Sequence, residues 1–151
     1  MHKLAASLLV VIALAVAAAP AGAETVNCTP INAVPAVIAL PGVYCFTKSL
    51  VTSMASGNAI DIQANNVVLD LNGFRLGGLA AGFSTSAVGI YASNRQNIAI
   101  RNGTIRGFLI AISLQNPSGG SQGHLVEDIR ADQNTWVGIW VEGSGSIVRN
   151  T

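Results

Sequence analysis

The sequence predicts an all-β solenoid of about four to five stacked coils. From Ala59 onward, short runs of alternating apolar and polar residues recur, and Gly, Asn and Ser stand where a coil must turn. Helix signals are nearly absent from the same region. Several strands in a repeat of roughly 20–30 residues are typical of a solenoid, which buries its core by stacking one coil on the next. The alternating runs begin at Ile60, Ile90, Ile110 and Ile139.

Two successive coils of the repeat align with each other. Because several pairs share one offset along the chain, we expect these coils to superimpose through their second and third strands. The later coils vary in length, and residues 78–87 and 115–123 have the composition of loops. The aligned pairs are Leu69 with Ile98, Leu71 with Ile100, Leu76 with Ile105, and Gly78 with Gly107.

An antiparallel sandwich is the structural alternative, because it also has many short strands and Gly-rich turns. The pairs Asn72-Gly73 and Asn102-Gly103 are compatible with hairpin turns. They also recur in similar coils, where Asn and Gly can supply left-handed bends between strands. This recurrence favours the solenoid.

Residues 1–23 have the layout of a secretory signal peptide. A positive start at residues 1–3 precedes an apolar run over residues 4–19, and Ala21-Gly22-Ala23 forms an A-x-A cleavage site. We expect the mature protein to begin near Glu24 and to be secreted or periplasmic. A retained membrane anchor is the alternative, although the run is short for a span of about 20 residues.

The mature chain is electrically neutral by count. Removing Lys3 leaves seven basic residues against seven acidic ones. A neutral chain without a basic run has no electrostatic footprint for nucleic acid or an anionic membrane, so neither is expected as a partner. The length allows one modest domain.

The segment 24–58 is predicted to be an N-terminal cap that holds a disulfide. Cys28 and Cys45 are the two cysteines of the sequence, and an exported chain experiences an oxidising compartment. Closing this loop would stabilise the fold by about 3 kcal/mol in the chain-entropy model. A reactive thiol or metal pair is the alternative, but it lacks a nearby histidine. The coils are then expected over residues 59–151.

Three segments resemble the right-handed parallel β-helix proteins of the pectate-lyase-like superfamily, in particular secreted bacterial β-helix repeat proteins. They are Pro41 to Cys45, Val67 to Phe74 and Ile98 to Phe108. The resemblance implies a right-handed parallel β-helix with carbohydrate as the commonest ligand class. Such proteins include polysaccharide lyases, glycoside hydrolases, epimerases and non-catalytic modules, so no single reaction is implied.

The sequence ends inside a recognisable strand, at residues 147–151, and it has fewer coils than the proteins it resembles. We therefore expect an open or truncated C-terminal coil. Uncapped strand edges and an apolar interior at that end predict self-association.

One candidate substrate-binding face follows the first strand of each coil. If Ile60, Ile90, Ile110 and Ile139 point inward, the residues after them line an outer face. Aromatic rings beside a carboxylate suit a sugar, and two rungs place the rings about 10 Å apart. Coverage by a loop, or simple half-burial of the rings, is the alternative. The outer residues are Asp61, Tyr91, Ala111 and Trp140.

The candidate catalytic cluster is Asp128, Arg130 and Asp132, which alternation projects outward together. Paired carboxylates can act as acid and base or bind a cation, and an arginine can orient a uronate carboxylate. No cofactor is predicted from the sequence, and calcium is the one to test if the protein is a lyase. The alternative is a solvated ion-pair ladder.

Arg75, Arg101 and Arg106 add a candidate groove for anionic polysaccharide, with solvated turn arginines as the alternative. His124 has no spaced partner histidine or cysteine, so no metal site is predicted. Asn72 and Asn102 are interpreted as turn-stacking amides.

Together these features predict an exported β-helix module that faces carbohydrate, without assured catalysis. A polysaccharide lyase or glycoside hydrolase acting on an acidic polysaccharide is the first alternative. A purely structural or interaction solenoid is the second.

Overall fold

The computed structural model describes residues 27–151, which form a parallel β-solenoid of about four turns with essentially no helix. The predicted signal peptide, residues 1–23, lies outside the described residues. Within residues 27–151, no helix has the length and apolar character needed to span a membrane. The parallel pairing of the strands confirms the solenoid predicted from the strand repeats.

Two parallel sheets carry the strands. The large sheet has the order β1-β3-β6-β9-β11-β13, with β4 and β7 beside this path, and the small sheet has the order β12-β10-β8-β5-β2. A single-turn 3-10 helix, Leu79–Ala81, follows β7. The strands of the described chain are β1 (Thr29–Ile31), β2 (Ala36–Ile38), β3 (Gly42–Phe46), β4 (Leu50–Val51), β5 (Asn58–Ile62), β6 (Val67–Asp70), β7 (Arg75–Gly77), β8 (Val88–Ser93), β9 (Ile98–Arg106), β10 (Ile110–Gln115), β11 (Leu125–Asp132), β12 (Val137–Val141) and β13 (Ile147–Arg149).

Left-handed residues recur at matched places in successive coils, and two of these places are shared by four coils. Such a conformation is tolerated by Gly and, among other residues, most readily by Asn and Asp. The side chain of Asn97 donates from Nδ2 to Oδ1 of Asn66 over 2.8 Å, so the amides stack as well as bend the chain. The first bend, just before each large-sheet strand, uses Asn66 (φ 56°), Asn97 (55°), Gly123 (67°) and Gly145 (65°), and the second uses Asn72 (48°), Asn102 (57°), Asp128 (51°) and Asn150 (53°).

The core is built from register columns, meaning residues that occupy the same position in successive coils. Ile60, Ile90 and Ile139 stand in one column, as the sequence predicted, but the residue of β10 in that column is Ile112. The predicted place of Ile110 was wrong, because Ile110 pairs with Val88 and Val137 instead.

Side-chain size explains this two-residue shift. In the observed register, Ala111 stands in a column of small residues with Ala59, Gly89 and Gly138. A Cβ atom built on Gly89 would lie 2.9 Å from Cγ2 of Ile105. The position of Gly89 therefore has no room for a side chain, and the register places another small residue, Ala111, beside it in the next coil.

The alignment of the two middle coils is also corrected in part. Leu76 pairs with Ile105 as predicted, but Leu69 pairs with Ile100 and not with Ile98. Two extra residues in the turn between β6 and β7 cause the change, since Asp70 pairs with Arg101 and the next pair, Arg75 with Thr104, needs two more residues on the β6–β7 side than on β9. Gly103 lies under the turn, where a Cβ atom would be 2.4 Å from Cβ of Leu71.

The N-terminal segment contains a coil of its own in addition to the predicted disulfide. Cys28 and Cys45 are disulfide-bonded, with their Cα atoms 5.8 Å apart. Strands β2, β3 and β4 pair with β5, β6 and β7, so the parallel ladder begins before residue 59. The core therefore extends into this segment, and Phe46 is fully buried.

We predict that Gly103→Ala destabilises the protein by about 1–3 kcal/mol, because overpacking at a rigid contact has this cost. The new methyl group would meet Cβ of Leu71 at 2.4 Å and the Phe74 carbonyl oxygen at 2.8 Å. The free energy of unfolding in urea measures the effect.

Gly120→Ala is the matched control, because its Cβ atom would lie 3.9 Å from the nearest atom, Cβ of Asn94. We expect this control to stay within about 0.5 kcal/mol of the wild type. Equal unfolding midpoints for the two variants would contradict the packing of the turn on Gly103.

Candidate functional site

An arginine-rich cleft lies on the outer face of the large sheet, where β4, β7 and the second halves of β9 and β11 run side by side. Two register columns form it, and they alternate with buried residues such as Leu76 and Ile105. The first column contains Arg75, Thr104 and Arg130, and the second contributes Arg106 and Asp132, whereas Val51 and Gly77, earlier in the second column, lie outside the lining. The cleft has a volume of 350 Å³, and we call it the arginine cleft; it is lined by Ser49, Gly73, Arg75, Thr104, Arg106, Arg130 and Asp132.

The arginine cleft has an excess of positive charge. Arg130 forms a salt bridge with Asp132, with Nη2 2.8 Å from Oδ2. Within residues 27–151, no salt bridge joins Arg75 or Arg106 to a carboxylate. Two guanidinium groups are thus available to a ligand anion.

Two buried polar atoms of the arginine cleft also have unused hydrogen-bonding capacity. Among the described residues, Nε of Arg106 and Oδ1 of Asp132 are buried without a hydrogen-bond partner. Buried polar atoms are nearly always paired, so these two atoms are exceptions, and a ligand could reach them only after movement of their side chains. A guanidinium fork matches the geometry of a carboxylate or sulfate, and the Thr104 hydroxyl can add a neutral hydrogen bond.

The predicted catalytic residues divide between this cleft and a bend. Arg130 and Asp132 line the arginine cleft, whereas Asp128 is exposed and is not part of its lining. Asp128 has a left-handed backbone (φ 51°), which interrupts the alternation from which its direction was predicted. Within residues 27–151, no group of three His, Cys, Asp or Glu side chains is placed to hold a metal ion.

The third predicted groove arginine, Arg101, is held elsewhere. Its Nε atom lies 2.9 Å from Oδ2 of Asp70, a carboxylate that is fully buried. Asp70 also accepts hydrogen bonds from the side chain of Asn102 and from the backbone N–H of Asn72. Sequence reasoning did not single out Asp70, because alternation places an aspartate between two inward leucines, Leu69 and Leu71, on the outer face.

The predicted aromatic face lies on the small sheet, away from the arginine cleft. Asp61, Tyr91 and Trp140 share one register column, but the residue between Tyr91 and Trp140 is Ser113, not Ala111. This correction follows from the two-residue shift of β10. Ser113 is fully buried in the column that it shares with the two larger aromatic residues.

The rings of the aromatic face are held by neighbours that the sequence did not indicate. Trp136 packs against Trp140 edge to face, with ring centroids 5.5 Å apart. Trp140 donates from Nε1 to Oε1 of Glu142 over 2.9 Å, so its polar edge already has a partner. Trp136 is 63% exposed and is the more accessible ring for a ligand.

His124 and Ser121 form a buried pair whose proton positions follow from the hydrogen bonds. The backbone N–H of Ile98 donates to Nδ1 of His124 over 3.3 Å, so Nδ1 carries no proton. Nε2 of the neutral ring is then protonated and donates to Oγ of Ser121 over 2.6 Å. A nucleophilic serine needs a histidine that accepts its proton, so this pair has a structural role.

We predict that stability falls as the pH drops below about 6.5, the ordinary pKa of histidine. Burial lowers the pKa of His124 in the folded state. The unfolded state therefore binds a proton first, and the loss of stability ends when the folded state is protonated as well. Urea midpoints at pH 7.5, 6.5 and 5.5 measure the slope.

The chain from Glu24 suits this test, because His124 is then its single histidine. In His124→Asn, the amide oxygen can accept from the Ile98 N–H but does not titrate, so we expect a smaller pH slope. A wild-type midpoint that is equal at all three pH values would contradict the prediction.

Comparisons with family models, curated proteins and solved structures find no match to this chain. The parallel β-solenoid is therefore shown by the coordinates alone. Membership of the pectate-lyase-like superfamily stays a prediction that rests on the three coil segments.

Proposed function

We propose that the protein is an exported β-solenoid module that binds an acidic polysaccharide in the arginine cleft. The observation that carries this proposal is the presence of Arg75 and Arg106, both without a salt bridge in the described chain, in one polar cleft with Arg130. Catalysis is not part of the proposal.

The charge of the cleft is local, which supports a specific ligand. The full sequence has a formal net charge of only +1, yet three arginines and one aspartate line this single cleft. An excess confined to one cleft favours an anion that fits there over nonspecific attraction to a charged surface.

The geometry favours a repeating anion over an isolated one. Arg75 and Arg130 share a column with Thr104 between them, so their backbones are two rungs, or about 10 Å, apart. A polyuronate presents carboxylates at intervals along an extended chain and can contact cations from successive coils. The resemblance to carbohydrate-active β-helix proteins supports the same ligand class.

A polysaccharide lyase or glycoside hydrolase is the second candidate. The specific observation in its favour is Asp132, a carboxylate that lines the cleft beside the arginines and pairs with Arg130. Arg130 would then orient a uronate carboxylate, and calcium would be the cofactor to test. Incubation with uronate-containing glycans, with and without calcium, followed by assays for unsaturated products and new reducing ends, tests this candidate.

We predict that the double variant Arg75→Gln/Arg106→Gln weakens binding of polygalacturonate by about tenfold or more. Hydrogen bonds to charged groups contribute about 1.5–3 kcal/mol each, and the variant removes two such donors. Isothermal titration calorimetry at low ionic strength measures the affinity, which should also fall as salt is added.

Trp140→Ala is the matched control, because Trp140 lies on the small sheet. We expect it to bind polygalacturonate like the wild type. Loss of binding in Trp140→Ala with retention in the double arginine variant would assign the glycan to the aromatic face and refute the proposal.

A further inference from the structure

A second cleft adjoins the arginine cleft and is largely apolar at one end. It has a volume of 310 Å³, and Arg75 and Arg106 line both clefts. Its other walls include Val51, Leu79 and Ala80. We call it the apolar cleft.

The lack of a side chain at Gly77 shapes the apolar cleft. In the column Val51, Gly77, Arg106, the central residue is a buried glycine, so no side chain of this column stands between the valine and the arginine, and we call this position the gap. The backbones of these outer two residues are two rungs, or about 10 Å, apart. The 3-10 helix that follows β7 borders the gap with Leu79.

The apolar walls are accessible to a ligand. Val51 is 68% exposed and Leu79 is 45% exposed. An isolated exposed apolar residue is ordinary, but here two of them line a cleft with two guanidinium groups. A ligand that fills both clefts must therefore carry an anion and a small apolar group close together.

We propose that the apolar cleft holds a short O-acyl group of the acidic polysaccharide, so that the protein prefers an O-acylated polyuronate to the unacylated chain. This inference rests on the proposed function of the arginine cleft. An ester adds an apolar methyl group beside the carboxylate without adding charge, whereas a free hydroxyl at the same place would lie against Val51 and Leu79 and lose hydration.

The apolar walls of the cleft support a short acyl group. Its volume of 310 Å³ is more than sufficient for such a group, so the apolar walls, and not the volume, limit the length of the acyl chain. A Cβ atom on Gly77 would lie 3.4 Å from Cγ1 of Val51 and 3.7 Å from Nε of Arg75, so the gap is narrow at this glycine. A long acyl chain would extend beyond the apolar walls into water.

The test compares polygalacturonate with its O-acetylated form, matched in length, by calorimetric titration of the full chain. We expect the acetylated form to bind about fourfold more tightly or better, since burial of one methyl-sized group has about this effect. Gly77→Val fills the gap and should abolish the preference while binding to the unacetylated form persists.

Val51→Ser provides a second variant if Gly77→Val does not fold, because Val51 is a surface position. It should reduce the preference for the acetylated form without reducing affinity for the unacetylated form. The Arg75→Gln/Arg106→Gln variant should weaken binding of both forms.

The other outcomes distinguish failure of the acyl preference from failure of the proposed function. Equal wild-type affinities, or weaker binding of the acetylated form, would overturn the acyl preference and leave the proposed function intact. A preference that survives in both Gly77→Val and Val51→Ser would also overturn it. No wild-type binding to either form would refute the proposed function and the inference together.

Discussion

The register between successive coils is the constraint on which the rest of the structure depends. In a parallel ladder, each residue lies about 4.8 Å from the residue at the same position in the next coil. Residue types therefore sort into columns, with isoleucines in the core and small residues where the backbone is crowded. The same constraint governs charge. Asp70 and Arg101 are direct register partners, so the buried carboxylate is neutralised by the coil stacked on it. A register error at this point would leave a charge buried without its partner, which is among the most costly defects that a fold can contain.

Alternation and repeat length were sufficient to predict the solenoid, but they could not fix every register. The run Ile110-Ala111-Ile112 has the same apolar pattern when it is shifted by two residues, so the sequence alone offers two equivalent alignments. Packing distinguishes them, because the observed alignment places Ala111 beside Gly89, where space is limited. That information comes from a neighbouring coil and cannot be obtained from the strand itself. The extra residues between β6 and β7 were missed for a similar reason, since they become evident only when these strands are paired with β9 of the next coil.

The sequence predicted the polar character of the candidate site better than it predicted which residues line it. Arginine and aspartate on alternating outer positions correctly indicated a polar surface, and Arg130 and Asp132 do line one cleft. Asp128 is separated from them by its left-handed conformation, which local alternation cannot reveal. Arg101 pairs with a buried carboxylate in the preceding coil, so its role depends on a contact between residues 31 positions apart. The local pattern of apolar and polar residues reveals neither the left-handed backbone of Asp128 nor the pairing of Arg101 with Asp70.

The three guanidinium groups of the arginine cleft come from three different coils, through β7, β9 and β11. The lining of the cleft is thus assembled from successive coils, each of which contributes one arginine. Duplication of a single repeat would extend this surface by one layer and leave the existing layers intact. If the cleft binds a polysaccharide as proposed, such a duplication would also change the number of sugar units that it contacts. The length of this surface is therefore set by the number of repeats in the solenoid.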